Sequence, residues 1–546
     1  MSIASFFVSR MYKLPKARNR VIRHRNVDIT MPDGVVLAGE HYAPAVTDRR
    51  PTLLLRHPYG LRSFGALAEV YAERGFHVIQ QACRGTDRSG GDFDPLRHER
   101  DDGLATLEWI KAQDWFDGRL GVTGPSYLGY AQWAISDALP KHSAMSTKVT
   151  SAEFRSVVFP GGAFHLGLWL GWLQTIEGIR KSPAKFARSM ASGAIEKKTA
   201  EAAARLPLID ADVLVTGHQV GFWRDWFENA IGNDAFWEPL DHTHRLGLRT
   251  PPNHFISGWY DFMLDQLLRD YETLVEAGHT PYLTVGPWTH VSNDLHGESI
   301  RQTLTWMHAH LEGKRAGLRH HPVRIYISGE ERWREFDAYP PGPPTDQIWH
   351  VSANGVFSQR AAHVTPPDTY RYDPADPTPS LGGAMFAFSG AGPVDNAPLE
   401  ARGDVLVYTS EPLVAPITVI GQPRMTLHAR ASLLYADYFV RLCDVSPDGK
   451  STNICDGFIR VSPADPAMPD NIWKLKIRLH ATAHQFGRGH RLRLLIASGA
   501  HPRYARNTGT GESLGLATTL EVADMEIFHD PAHPSAIILP VYEFGD

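Results

Sequence analysis

The chain is poor in cysteine, with only Cys83, Cys443 and Cys455 among 546 residues. So few thiols exclude a disulfide framework for a protein of this size and fit a reducing, cytoplasmic setting. No apolar run approaches the ~18 residues that span a membrane. The apolar patch Phe6-Phe7-Val8 is too short for a secretory signal, and no small-residue cleavage site follows it. Neither sign of charge dominates: 55 Lys and Arg against 60 Asp and Glu leave a formal charge of −5. A nucleic-acid partner, which needs a concentrated basic face, is therefore not expected. The one basic concentration is N-terminal, at Arg10, Lys13, Lys16, Arg18, Arg20, Arg23 and Arg25. It reads as a solvated arm, with contact to an anionic surface as the alternative. The sequence also lacks HExxH, paired CxxC, Walker and dinucleotide glycine patterns, so no metal or organic cofactor is expected. His242/His244 and His320/His321 read as surface or turn histidines.

What the chain does have is alternation. VDIT and VVLAGEHYAP form a predicted hairpin about MPDG. Then PTLLLRHPYG, FHVIQQ and RLGVTG read as strands, separated by the helical stretches ALAEVYAERG and residues 100–113 and followed by the helix YLGYAQWAISDAL. Strands separated by helices imply a mostly parallel sheet covered on both faces. From about 150 to 247 strand signals nearly vanish, and FHLGLWLGWLQTIEGIRK, PAKFARSMASGAIEKKTAEAAARL and GFWRDWFENAIG look helical. Alternation returns with NHFISGWYD, FMLDQLLRDYETLVEAG and YLTVGPW, so the helical stretch reads as an insertion placed as a cap. Beyond about 322 come many short strands, among them VRIYIS, RMTLHARA, WKLKIRLHATAHQF and RLRLLIAS, which suit an antiparallel sandwich or jelly roll. At 546 residues the chain is too long for one core. The predicted plan is an α/β fold with a sheet domain at 1–148 and 248–321, a helical cap at 149–247 and a jelly roll at 322–546.

The strongest chemical signal is GVTGPSYLGY, where Ser126 follows a predicted strand and opens a helix. A nucleophile elbow needs that context, because a sharp turn lifts the hydroxyl above the sheet edge and flanking glycines relieve crowding. The usual spacing is G-x-S-x-G, and here the second glycine, Gly129, stands one place later. A hydroxyl needs a base, and the base an orienting acid, in the chain order Ser, acid, His. Asp261 ends the strand FISGWYD, and His290 follows the strand in YLTVGPWTH. With 27 histidines in the chain, placement rather than residue type singles out His290. The alternative for Asp261 is a plain N-cap of the next helix. An oxyanion needs donors: the Tyr127 amide is one, and Tyr59 in RHPYG could present a phenol, although a buried Tyr often serves only packing. Phe164, Trp169 and Trp172 from the cap, with Phe262 and Met263 after the acid, are candidate pocket walls, the cap aromatics serving equally well as cap core. Cys83 reads as a small buried residue rather than a reactive thiol.

These strings together resemble the family of cocaine esterase, the α-amino-acid ester hydrolases, the glutaryl-cephalosporin acylases and the X-Pro dipeptidyl peptidases. The resemblance runs through VDITMPDGVVLAGEHYAP, LLLRHPYG, ACRGTDRSGGDFDP, LEWIKAQDWFDGRLGVTGPSYLGYAQW, SGWYD, GPWTH and FGRGHRLRLLIASGAHPRYARNTG, nearly the whole chain. It implies an α/β-hydrolase core with a helical cap and a C-terminal jelly roll. It also implies Ser126 as nucleophile, Asp261 as acid, His290 as base, and the Tyr59 hydroxyl beside the Tyr127 amide in the oxyanion hole. One departure is Cys83, which precedes Arg84-Gly85 where the family often has Asp. A small-molecule ester is the expected substrate, with amide or β-lactam side-chain cleavage and X-Pro peptidase activity as alternatives. A carbohydrate-binding protein with an inert core is the alternative of another class. Relatives of this kind imply self-association.

Overall fold

The computed structural model describes residues 2–544 apart from 231, 248, 362, 468 and 469. The predicted hairpin forms, β1 (Val21–Thr30) pairing antiparallel with β2 (Val36–Pro44). After it come β3 (Arg50–His57), β4 (His77–Ala82), β5 (Phe116–Pro125), β6 (His142–Lys148), β7 (Asn253–Tyr260), β8 (Tyr282–Thr289), β9 (Val323–Ile327) and β10 (Arg332–Phe336). The sheet order is β1-β2-β4-β3-β5-β6-β7-β8-β9-β10, and every pair from β4 through β9 is parallel. Parallel neighbours require crossovers, and helices bury both sheet faces, which is why β4 and β7 are buried at every residue.

Three features of this sheet depart from the sequence reading. VRIYIS, grouped above with the C-terminal strands, is β9 and pairs in parallel with β8. Its Val323, Ile325 and Ile327 bury in the α/β core, and alternation alone cannot say which of two sheets a strand joins. HSAMSTK, not read as a strand, is the central strand β6. Its small hydroxyl side chains hid the signal, yet they bury with partners, Ser146 Oγ lying 3.0 Å from Thr303 Oγ1. The basic N-terminus is structured rather than a free arm. Helix α1 (Ile3–Met11) is capped by Ser2 and anchored by a Ser5 Oγ bond of 2.7 Å to Glu73, while Arg23 pairs with Glu40 at 2.6 Å.

Helices α2 (Gly65–Glu73), α3 (Glu99–Lys111) and α4 (Tyr127–Trp133) complete the first crossovers. Between β6 and β7 the chain is helical: α5 (Arg155–Val158), α6 (Leu166–Lys181), α7 (Pro183–Ala191), α8 (Ala194–Ala203), α9 (Ala211–Thr216), α10 (Gly221–Glu228) and α11 (Asp234–Trp237). PAKFARSMASGAIEKKTAEAAARL is thus two helices, split at Gly193. Their aromatic core, including Trp169, Trp223 and Trp226, packs onto Tyr127, Tyr130 and Phe262, which seats them over the ends of β5 and β7. Helices α12 (Leu264–Glu276) and α13 (Asn293–Glu312) follow β7 and β8.

The C-terminal region is built of β11 (Thr345–Ser352), β12 (Val356–Ser358), β13 (Asp368–Tyr372), β14 (Leu406–Thr409), β15 (Ile417–Gly421), β16 (Arg424–Ala431), β17 (Ala436–Val445), β18 (Ser451–Val461), β19 (Trp473–Arg478), β20 (Thr482–Phe486), β21 (Arg491–Ala497), β22 (Ala523–Phe528) and β23 (Ala536–Tyr542). All but the β12–β14 ladder are antiparallel, and alternate residues such as Leu475 and Ile477 fill the interior. WKLKIRLHATAHQF is two strands, β19 and β20, and the residues between them reach back to the α/β sheet. That junction bears on the site.

Candidate active site

Ligand sites of open α/β sheets lie beyond the carboxyl ends of the strands. Here β3, β5, β7 and β8 deliver Tyr59, Ser126, Asp261 and His290 to that edge. Ser126 sits between β5 and α4 with φ 56° and ψ −122°, a conformation that costs a non-glycine residue about 1–3 kcal/mol. The surroundings impose it. Its N–H donates to the Lys148 carbonyl at 2.9 Å, and its own carbonyl accepts from Thr150 Oγ1 and the Gly129 N–H, each at 2.8 Å. The two glycines have steric reasons. Gly124 has φ +142°, and a Cβ there would lie 2.4 Å from Leu128; a Cβ on Gly129 would lie 2.4 Å from Thr150. The late second glycine is therefore where the first turn of α4 presses on the chain leaving β6.

Asp261 is fully buried in the turn between β7 and α12. Its Oδ1 accepts from His290 Nδ1 at 3.0 Å and from the Met263 N–H at 2.9 Å, and its Oδ2 accepts from Ser257 Oγ at 3.0 Å. The carboxylate holds the imidazole and one turn amide; it does not cap α12, whose N-cap is Met263 with no side-chain cap bond. With Nδ1–H committed to Asp261, His290 keeps its lone pair on Nε2. The ring is sandwiched by Phe262, 4.4 Å away between centroids, and met edge-on by Phe386 at 6.0 Å. Ser126 and His290 line the same cavity.

The Tyr59 hydroxyl accepts from Trp172 Nε1–H at 3.2 Å and lines the same cavity as Ser126. Burial pushes this phenol up to about 12, so it keeps its proton at neutral pH and remains a donor. Tyr127 opens α4, where the first amides have no intrahelical acceptor. Its phenol is tied elsewhere, donating to Glu99 Oε1 and accepting from the Leu96 N–H, both at 2.8 Å. Tyr59, Ser126 and Tyr127 line one cavity.

The cavity has a volume of about 360 Å³. Trp169, Trp172, Phe262 and Met263 line it; Phe164 does not. Phe164 turns into the cap and packs on Phe227 at 4.6 Å and Trp223 at 5.3 Å, because α10 offers it a closed apolar socket. Among the lining residues that were not foreseen are Phe186 and Met190 on α7, and Phe386 and Phe388 from the chain before β14. Phe388 is held there by its N–H, which donates to Glu196 of α8 at 2.9 Å. No local sequence signal marks residues brought in from two hundred positions away. None of the cavity's lining residues is Asp, Glu, Lys or Arg. A larger polar chamber, about 930 Å³, adjoins it across Tyr59 and Trp172. Cys83 is buried, and burial beside Glu99 pushes its thiol well above the ordinary range, so it is unreactive. Among the described residues no group of three or more His, Cys, Asp or Glu could hold a metal ion, and no helix is long and apolar enough to cross a membrane.

Residues 33–292 match the X-Pro dipeptidyl-peptidase (S15) family, and residues 317–538 match the X-Pro dipeptidyl-peptidase C-terminal non-catalytic domain. The chain is 31% identical to a cocaine esterase from a Rhodococcus species, over 94% of this chain and 98% of that one. Two solved structures share the fold over 97% of this chain and 98% of each of theirs, both at 22% identity. They are an aminopeptidase from a marine-sediment Thaumarchaeota archaeon, with a TM-score of 0.81, and an α-amino acid ester hydrolase, with a TM-score of 0.79.

Proposed function

The chain belongs to the cocaine esterase family of serine hydrolases, and from that premise we propose that it cleaves small carboxylic esters through an acyl-enzyme on Ser126. The observation that carries the reading is the strained Ser126 elbow sharing one apolar cavity with a His290 whose Nδ1 is held by Asp261. Ser126 Oγ attacks the carbonyl carbon, and its proton passes to His290 Nε2. Asp261 holds the tautomer and stabilises the imidazolium, while the Tyr59 hydroxyl and the Tyr127 amide donate to the oxyanion. The intermediate collapses, His290 returns the proton to the departing alcohol, and water repeats the sequence to free the acid and Ser126.

Ester cleavage is favoured over the aminopeptidase-like alternatives by the cavity wall. A substrate ammonium inside that cavity would meet no carboxylate, since Asp87, Asp94, Glu177 and Asp225 line the adjoining chamber instead, and an unpaired buried charge is costly. Binding to carbohydrate over an inert core is disfavoured, because an inert site has no use for a strained serine. We further read the enzyme as cytoplasmic, since its three cysteines are free and buried, and as self-associating, which is what the family resemblance implies. In domain terms we read core, cap, core and β region, with the last boundary after β10 rather than at 321/322, because β9 and β10 stay in the first sheet.

The test is hydrolysis of p-nitrophenyl esters from acetyl to dodecanoyl beside aminoacyl and X-Pro anilides, for wild type and Ser126→Ala. Ester turnover lost in the variant supports the proposal. Anilide cleavage without ester turnover would move the enzyme to the peptidase side, and silence on both would favour the inert core.

A further inference from the structure

Asp261 is held at its side chain by the turn and by His290, and at its backbone by something outside the α/β sheet. His480, in the junction between β19 and β20, places Nε2 2.8 Å from the Asp261 carbonyl oxygen. That oxygen also accepts the Leu264 N–H, at 3.0 Å, so both of its lone pairs are engaged. The other ring nitrogen, Nδ1, lies 3.0 Å from Asp265 Oδ2 on the first turn of α12. Asp265 Oδ1 in turn accepts the Ala481 N–H at 2.9 Å, and the His480 N–H donates to the Asp456 carbonyl at 2.8 Å. The ring is therefore pinned on every side.

The proton count follows from the partners. A peptide carbonyl only accepts, and an ionised carboxylate only accepts. Both ring nitrogens of His480 face acceptors, so both must carry hydrogen, and the ring is an imidazolium. A neutral ring would set a lone pair against one of these oxygens.

We propose that His480 is a positioning residue for the triad: an imidazolium supplied by the C-terminal β region that clamps the Asp261 peptide and so aims its carboxylate at His290. The proposal rests on the reading of Asp261 as the catalytic acid. Every neighbouring charge bears on it. Asp265 of α12 and Asp456 of β18 favour the cation, while Arg503, after β21, opposes it and is itself paired with Asp456 at 2.6 Å. Arg441 of β17 completes that group on Asp456 at 2.9 Å. Burial disfavours the charge on His480, and Asp265 outweighs it, holding the ring above the ordinary histidine range. Burial would likewise raise Asp265, yet His480 holds it below the usual carboxylate range. Loss of the His480 proton at alkaline pH breaks one of the two bridges. With the remaining hydrogen on the side of the Asp265 carboxylate, the Asp261 carbonyl keeps only the Leu264 N–H. Displacing a catalytic group by ~1 Å costs up to about a hundredfold in rate.

The experiment is kcat and KM for p-nitrophenyl butyrate from mildly acidic to alkaline pH, on the full-length wild type, His480→Gln and Asp265→Asn. The wild type is expected to lose kcat on the alkaline side. His480→Gln should lose about tenfold or more in kcat with KM little changed, and its remaining activity should show no alkaline fall. Asp265→Asn removes the counter-ion and should move the alkaline fall to lower pH. A merely structural histidine would lower the yield of folded enzyme without moving that limb. Wild-type activity flat through alkaline pH, wild-type kcat in His480→Gln, or an unchanged limb in Asp265→Asn would each overturn the proposal. If His480→Gln fails to fold, the wild-type and Asp265→Asn profiles still decide. Failure of the triad reading is distinct, since it shows as turnover surviving in Ser126→Ala.

Discussion

Ser126 adopts a backbone conformation that a free chain avoids, and the sequence around it is arranged to hold that conformation. Gly124 and Gly129 remove the side chains that would collide with Leu128 and Thr150. At the same scale, Tyr59 is the residue whose role geometry sharpens most. Its phenol accepts from Trp172 Nε1, lines the cavity that holds Ser126 and is kept protonated by burial. Tyr59→Phe keeps the ring and removes the donor, so kcat should fall by about 10²–10³ with KM little changed. Steady-state kinetics on a p-nitrophenyl ester reads this directly. Ser126, Asp261 and His290 could be proposed from the chain because each directly follows a strand with a strong apolar pattern, and Tyr59 stands two places after another. His480 could not, since nothing about LHATAHQF says that its histidine leaves the strand pair to meet Asp261.

At the scale of elements, the cap and the chain before β14 set the substrate space. Phe186 of α7 and Phe388 meet edge-on at 6.1 Å in the cavity wall. Phe186→Ala or Phe388→Ala opens that wall, so the p-nitrophenyl chain-length optimum should shift to longer acyl groups, while acetyl ester turnover changes little. An optimum unmoved in both variants would show that the wall does not bound the acyl chain. The parallel sheet was legible from its apolar runs, and the helical insertion from the loss of them. The rest was hidden for physical reasons. β6 is built from small polar residues whose burial depends on partners such as Thr303. Helix α13 buries Leu295, Ile300, Leu304, Trp306 and Met307, but Gly297, Ser299 and Thr303 interrupt that apolar face and blur its period. Phe164 illustrates the converse: helical spacing shows that a residue is buried but not whether it faces cavity or cap.

At the scale of the whole molecule, the C-terminal β region is joined to the catalytic edge through buried charge. Asp456 is flanked by Arg441 and Arg503; burial alone would raise its carboxyl, and the two guanidinium groups pull it down to about 2. A depressed carboxylate stabilises the fold above its unfolded-state value of about 3.9 and loses that contribution as pH falls toward the folded value. His480 has the opposite sign. Its raised value stabilises the fold below the ordinary histidine range, and that contribution is lost as pH rises through the folded value. Asp456→Asn leaves two buried guanidinium groups without a counter-ion, a change of about 3–5 kcal/mol. Tm at neutral pH should drop by several degrees, and the gap to wild type should narrow in acid as the wild-type carboxyl protonates. Scanning fluorimetry across pH checks both. The central claim is that Ser126 is the nucleophile of a working esterase, and the most direct test is labelling by a fluorophosphonate followed by peptide mapping. One modified serine, Ser126, is expected, with labelling abolished in Ser126→Ala and slowed by decades in His290→Ala. Labelling that persists in Ser126→Ala, or maps to another residue, would contradict it.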